Sequence, residues 1–398
     1  MAPDELQQLH HFVSTSPWKT RPVQRVLLDR AEEIVGGPGA VLIIDDTAIV
    51  KQGKHSVGVA RQYCGELGKR ANCQALVSLT LARGEVPVSV ALELFLPKSW
   101  AADSERCTAA GVPEPQRVHR PKWRIALDEL DVALQAGVRF DCVTADAEYG
   151  KAAAFRQALS ERGLRYAVGI QPQQFVYPAD VELLWPEPTS RGGRPRKHPR
   201  ASVSGVRADE MMDALAEEDF RELSWRDGTQ GPLLARFAAL RVRAAEGPRV
   251  EGQALPGEGV LWLVCEWRNT GEKKYYLCNH APNTTLKTLA RHIKARWICE
   301  QAHEQLKNQL GLDHLECRNW QALHHHALLT CESPSAFCNT SGRGGEERRG
   351  TRRRLPCNGP PPSPSLPEVR RRLLQVLVRR YMPRCPTCGR NNASHTPP

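Results

Sequence analysis

The chain has 398 residues, 25% of them charged and 41% apolar, enough for a sizeable core and two or three structural units. No apolar run approaches the roughly 18 residues of a membrane span, and "MAPDELQQLHHF" lacks the basic-then-apolar order of a secretory leader. A membrane protein is therefore excluded, and the chain reads as cytoplasmic. A net charge of +11 and a pI near 9.1 point to a polyanionic partner, nucleic acid before membrane. The 13 cysteines are scattered through a long chain, a pattern of reduced, buried thiols rather than a disulfide framework.

In chain order, residues 5–35 read as helices, the second closed by Gly36-Gly37. "VLIID" is a short buried strand. "HSVGVARQY", "CQALVSLTLAR" and "VPVSVALELFLP" follow as strands, the last two joined across Arg83-Gly84-Glu85. A helix over 121–137, a strand over 139–146, a helix over 151–163 and a strand "RYAVGI" complete this half. The pattern predicts an α/β protein with a mixed sheet and helices on its faces.

From Gln171 to about Gly257 regularity fades, and 190–202 is basic and rich in Pro and Gly. "GVLWLVCEWR" and "KKYYLCNH" form a hairpin. One long helix, capped by Asn283 or Thr284, is expected to run to Gly311. Trp262 and Trp267 on the hairpin are core candidates that a displaced base would also suit. Adjacent His324, His325 and His326 splay around a helix, so a structural role is expected. Beyond Thr330 the apolar periodicity stops, and 331–398 holds 13 Arg against 4 Glu. Cys385 and Cys388 form a single C-x-x-C that lacks the second half-site of structural zinc, which Cys357 and His395 would have to supply.

Asp45 and Asp146 each end a strand signal, where a side chain is rigidly held yet reaches solvent. Two carboxylates at neighbouring strand ends repel unless protonated or bridged by a cation, for which Mg²⁺ or Mn²⁺ is the natural choice. On the long helix, at about 100° per residue, Arg296, Glu300, Glu304 and Lys307 share one face while Ile298, Cys299, Ala302 and Leu306 take the other. A solvated, salt-bridged helix face has the same pattern. Asp45 and Asp46 alternate along their strand, so only one should face a metal; the Asp-x-Thr spacing to Thr47 suits Asp45. The same Thr47 excludes the Asp-x-Asp arrangement of one phosphatase class.

The stretches "LIIDDTAIVKQGKHSVGVARQYCGELGKRANCQALVSL", "LFLPKSW", "VTADAEYG" and "RWICEQAHEQLKNQLGLDHLECRNWQALHHHALL" resemble the DDE superfamily endonucleases, the transposases of insertion sequences. The resemblance implies an RNase H-like core with a β-containing insertion between the second Asp and the Glu. It divides the chain into a partial N-terminal helical region (1–38), the first half of the core (39–170), an insertion (171–257), a hairpin and Glu-bearing helix (258–330) and a basic tail (331–398). It assigns Asp45, Asp146 and Glu300 as ligands of two Mg²⁺ or Mn²⁺ ions that drive phosphoryl transfer in DNA. A related Tyr-x2-Arg-x3-Glu-x6-Lys signature maps onto Arg296, Glu300 and Lys307, with Ile293 in place of the Tyr. Arg296 and Lys307 would then hold phosphates beside the scissile bond, and Lys51, Lys54, Arg61, Lys69 and Lys98 would add backbone contacts to double-stranded DNA. Synapsis of transposon ends and target by a homodimer, in a nucleoid-associated bacterial protein, is the corresponding expectation.

Two departures from that family are expected to matter. Further helical sequence usually precedes "LQQLHHFVSTSPW", so part of an end-binding domain is expected to be missing. The apolar helix usual after "HHHALLT" is replaced across 331–357, as a compensated frameshift would produce. A degenerate, non-catalytic DNA-binding remnant is accordingly the alternative reading.

Overall fold

The structure, a computed structural model, describes residues 3–185, 198–228, 231–250 and 252–332. Two helices open the chain, Pro3–Ser14 (α1) and Thr20–Val35 (α2). Leu27, Leu28, Ala31 and Val35 fall on one stripe of α2 and are buried. Burying each leucine contributes about 1.5–3 kcal/mol, which fixes the helix against the sheet beneath it.

That sheet has twelve strands. Ala40–Val50 (β1), Ala60–Cys64 (β2), Lys69–Arg83 (β3) and Val86–Leu94 (β4) come first. The long β3 lies antiparallel to β1 along one edge, and its other edge is shared by β2 and β4. The helix Lys122–Gln135 (α3) leads to Cys142–Ala145 (β5), and Ala153–Glu161 (α4) leads to Tyr166–Ile170 (β6). Helical crossovers allow parallel pairing, and β1, β5 and β6 are indeed mutually parallel neighbours.

The sheet continues beyond β6 through Phe175–Pro178 (β7), Val206–Arg207 (β8), Arg221–Gly228 (β9), Gly231–Ala244 (β10), Val260–Trp267 (β11) and Lys273–Cys278 (β12). Its order is β8-β7-β10-β11-β12-β6-β5-β1-β3-β2, with β4 on β3 and β9 on β10. The β12–β6 pairing makes the two halves one sheet. Residues 221–228 and 231–244, where the sequence pattern fades, are long strands paired antiparallel. Strand β10 carries Arg at 236, 241 and 243 between apolar positions, which masks the alternation.

The expected single helix after Thr284 is two, Leu286–Lys294 (α5) and Trp297–Asn308 (α6). Thr285, one residue after the predicted caps, accepts from the Thr288 amide. No Gly or Pro breaks the run. Instead the amides of Ile298 and Cys299 bond to the carbonyls of Ala295 and Arg296, three residues back rather than four, and this tightened turn re-aims the helix. The strand expected over 55–63 begins only at Ala60. Among the described residues, no helix is long and apolar enough to cross a membrane. The Cys385–Cys388 pair, the basic segment 190–197 and most of the 331–357 interval lie outside the described residues.

Candidate active site

Strand β1 is buried on both faces, and the two faces meet different partners. Leu42 and Ile44 enter the main core, while Val41 and Ile43 pack with Ile298 and Cys299 of α6. Asp45 continues the second face and so arrives at α6. Its Oδ2 accepts from Arg296 Nη1 at 2.6 Å and from the Cys299 thiol at 3.2 Å. Asp46 turns the other way, toward the start of α3, and pairs with Lys122 Nζ at 2.7 Å. Burial raises the Asp46 pKa against the opposing pull of Lys122.

The register of β1 and β5 pairs Ile44 with Ala145, so Asp45 and Asp146 leave adjacent parallel strands side by side. Asp146 is not the last residue of its strand but the cap of the turn Ala147–Gly150, accepting from the amides of Glu148 and Tyr149. That turn lies directly on β6, because a Cβ on Gly150 would sit 1.9 Å from the Gly169 carbonyl oxygen and one on Gly169 would sit 2.8 Å from the Ala147 nitrogen. The close approach, not unusual backbone angles, is what requires glycine at both positions. It places the Asp146 carboxylate at the mouth of the β1–β5 groove.

Glu300 reaches the same place from α6. Arg296 bridges Asp45 and Glu300, with one guanidinium nitrogen on each. Burial lowers the Arg296 pKa, but Asp45 and Glu300 outweigh it and hold the guanidinium firmly charged. Asp146 has no such partner. Burial, then the neighbouring Asp45 charge, pushes its pKa from 3.8 up to about 6.

Asp45, Asp46, Asp146, Glu300, Arg296, Lys122 and Lys307 line one cavity of about 1030 Å³. A second, of about 740 Å³, shares Asp146, Arg296 and Glu300 with it and extends past Lys273, Lys274 and Lys294 toward Trp225 and Trp297. The two form a continuous cleft, acidic at its centre and basic along one arm.

The expected DNA-contacting residues are placed unevenly. Lys307 lines the cleft but is ion-paired with Glu66 at 2.7 Å. Lys51 donates to the Leu315 carbonyl, and burial lowers its pKa. Lys54, Arg61, Lys69 and Lys98 are exposed on the surface and do not line the acidic cavity. Trp262 donates to the Ala281 carbonyl, and Trp267 packs in a core cluster under Arg236 and Lys273. His324 faces Glu93, His325 stacks on Trp18, and His326 bonds the Gly311 carbonyl, three separate structural contacts.

Several residues at the site escaped the sequence reading. Ser78 and Tyr149 donate their hydroxyls to the Asp45 carbonyl, and His303 meets Ser78 at 2.8 Å. Burial lowers the His303 pKa to about 4, so its ring is neutral. Ser78 is the β3 partner of Asp45, a relationship visible only once strand register is known. Lys122 and Cys299 belong to the same group.

The chain matches the family model described as DDE superfamily endonuclease over residues 1–232, more than half its length, and it belongs to that family. It is 30% identical over 174 residues to the "Probable transposase for insertion sequence element IS701" of Microchaete diplosiphon, a match covering 44% of this chain and 43% of that protein. The chain thus spans less than half the length of that relative. Among solved structures, a piggyBac transposase synaptic complex with hairpin DNA aligns over 89% of this chain and 65% of its own at 12% identity, with a TM-score of 0.34. The NurA nuclease from Sulfolobus solfataricus aligns over 88% and 96% at 7% identity, with a TM-score of 0.26. At those TM-scores neither likeness carries weight for this fold.

Proposed function

We propose that the chain is a metal-dependent DDE transposase that cuts and joins double-stranded DNA at insertion-sequence ends. In this reading β4-β3-β1-β5-β6 is an RNase H-like core, and β7–β10 belong to an insertion between the second Asp and the Glu. The observation that carries it is the meeting of Asp45, Asp146 and Glu300, from a strand, the turn after its parallel neighbour and a helix, in one cleft where acid exceeds base.

The residues fit divalent ions. All three offer carboxylate oxygens, the donors that Mg²⁺ and Mn²⁺ prefer. Asp146, with its raised pKa, is the group that a nearby cation would most relieve. When bound, a pair of such ions would activate an attacking hydroxyl and stabilise the leaving oxygen. The chain's own residues supply position and charge. Ser78 and Tyr149 hold the Asp45 backbone, Gly150 and Gly169 seat the Asp146 turn, and Arg296 presents a fork matched to phosphate. Lys273 and Lys274 would follow the DNA backbone along the basic arm, with Lys54, Arg61, Lys69 and Lys98 adding sequence-independent attraction outside it. Joining two ends calls for two copies, so a dimer on DNA is part of the proposal.

The test is cleavage of supercoiled plasmid carrying the element's terminal repeats, with Mg²⁺ or Mn²⁺, by wild type and by Asp146→Ala. Cutting should require the metal and vanish in the variant, while retention of DNA in a gel is kept. Cutting that persists in Asp146→Ala overturns the assigned site. Retention without cutting under either metal leaves the non-catalytic remnant instead.

A further inference from the structure

We propose that Cys142, His280 and His292 form a buried site for a thiophilic divalent ion, zinc before others, which fastens α5 to the sheet. Cys142 opens β5, His280 lies two residues past β12, and His292 sits in α5. One donor atom from each lies within 4.8 Å of the other two. All three side chains are buried, at 0%, 4% and 3% exposure.

Packing alone gives no reason for them. Cys142 packs in an apolar cluster with Ala167, Cys278, Leu289, Ala290 and Ile293. His280 Nε2 and His292 Nδ1 face each other at 2.8 Å, while the second nitrogen of each ring is buried without a hydrogen-bond partner. As a simple hydrogen-bonded pair, the rings leave the outer nitrogen of His292 buried without a partner, an arrangement that folded proteins avoid. Two imidazole nitrogens and a thiolate, by contrast, are a donor set that zinc favours.

Proton balance is simple. Burial, with Cys278 nearby, pushes the Cys142 thiol well above its ordinary value, so the empty site holds a thiol. Binding forms a sulfur–metal bond and releases that proton to solvent. The proton held between the rings shifts within its own ring to the outer nitrogen, which frees both inner lone pairs for the ion and leaves an N–H on each outer nitrogen, that of His280 beside the Tyr166 backbone. Arg165, Arg291 and Asp141 are the charged groups that face the pair. A tetrahedral ion keeps a fourth position that these residues do not fill. The site lies one helical turn ahead of Arg296, so the ion would also steady the helix that leads into the cleft.

The experiment uses the full chain purified from zinc-replete cells, with metal analysis, Co²⁺ replacement and thermal melting. Wild type should hold one zinc through dialysis against a mild chelator, and the cobalt form should show a thiolate-to-metal absorption band. Cys142→Ala should melt as a folded protein yet lose the ion, the band and any rise in Tm on adding zinc. Cys385→Ser with Cys388→Ser, which removes the other zinc-like pair, should keep all three, as should Asp146→Ala. Absence of the ion and the band from wild type overturns the proposal. So does their survival in Cys142→Ala, or their loss only when Cys385 and Cys388 are replaced.

Discussion

Two clusters of charge flank the helix break at Ala295 and Arg296, and they are assembled on opposite principles. Glu266 is fully buried but receives Lys294 at 2.7 Å, Arg268 at 3.1 Å and the Tyr276 hydroxyl at 2.9 Å. Burial alone would raise its pKa, yet Lys294 and Arg268 outweigh that and hold it below the ordinary value. In the neighbouring cleft, Asp45, Asp46, Asp146 and Glu300 share only Arg296 and Lys122, and Asp146 is pushed up to about 6. The first cluster is electrically complete and holds β11, β12 and α5 together. The second is short of positive charge, the condition in which an arriving cation gains most.

The sharpest way to break this contrast is to damage the complete cluster. Glu266→Gln leaves Lys294 and Arg268 facing a neutral group in a buried position. We expect a loss of about 3 kcal/mol, at the low end for a broken buried pair because Arg268 is partly exposed. The loss should be full at pH 7 and shrink in acid, since the stability that a lowered carboxyl pKa supplies is present above about 4.5 and disappears as pH falls through the folded value. Urea unfolding of wild type and variant at pH 7 and pH 4 measures both. Equal stability at pH 7 would show that Glu266 holds nothing together.

Removing charge from the deficient cluster should do the reverse. Asp146→Asn keeps an acceptor for the Glu148 and Tyr149 amides while deleting the repelled carboxylate. A folded pKa near 6 against 3.8 means the native state binds the proton more tightly than the unfolded chain. Its contribution to stability therefore declines as pH rises from about 4 to 6, and the deficit above that range is at most about 3 kcal/mol. The variant should equal wild type near pH 4, exceed it above pH 6, and gain less from Mn²⁺. Parallel pH profiles for the two proteins would mean the cleft is not short of cations.

The contrast also explains what the sequence disclosed. Asp45 and Asp146 stand out because each follows a short apolar run, whereas the helical face that holds Glu300 also holds Glu304, and only the family resemblance separates the two. The mixed sheet of the first half follows from clean alternation of strand and helix signals. The complete cluster was not legible: Glu266 and Arg268 at the end of β11, Tyr276 of β12 and Lys294 of α5 meet only through strand register and the packing of that helix on the sheet. Strand β10 was hidden by its arginines, and the helix break at Ala295 has no Pro or Gly to mark it. Local patterns disclose elements, whereas charge compensation between elements needs the fold.

The smallest expected effect lies at the far side of the sheet, where His324 in the helical residues 320–332 pairs with Glu93 of β4 at 3.3 Å. Burial lowers the His324 pKa, but Glu93 outweighs it and leaves it raised; burial raises that of Glu93, but His324 outweighs it and leaves it lowered. The histidine's share of stability is complete below its unfolded pKa of 6.5 and fades as pH climbs through the folded value. The glutamate's share is complete above 4.5 and fades as pH drops through its own folded value. The pair is therefore strongest between those limits, unlike the cleft, which is penalised across the upper part of the same range. His324→Gln should cost about 2 kcal/mol near pH 5.5 and less at pH 8, read as a Tm difference between the two proteins at each pH. A Tm difference that is the same at both values would make His324 a packing residue with no share in the charge balance.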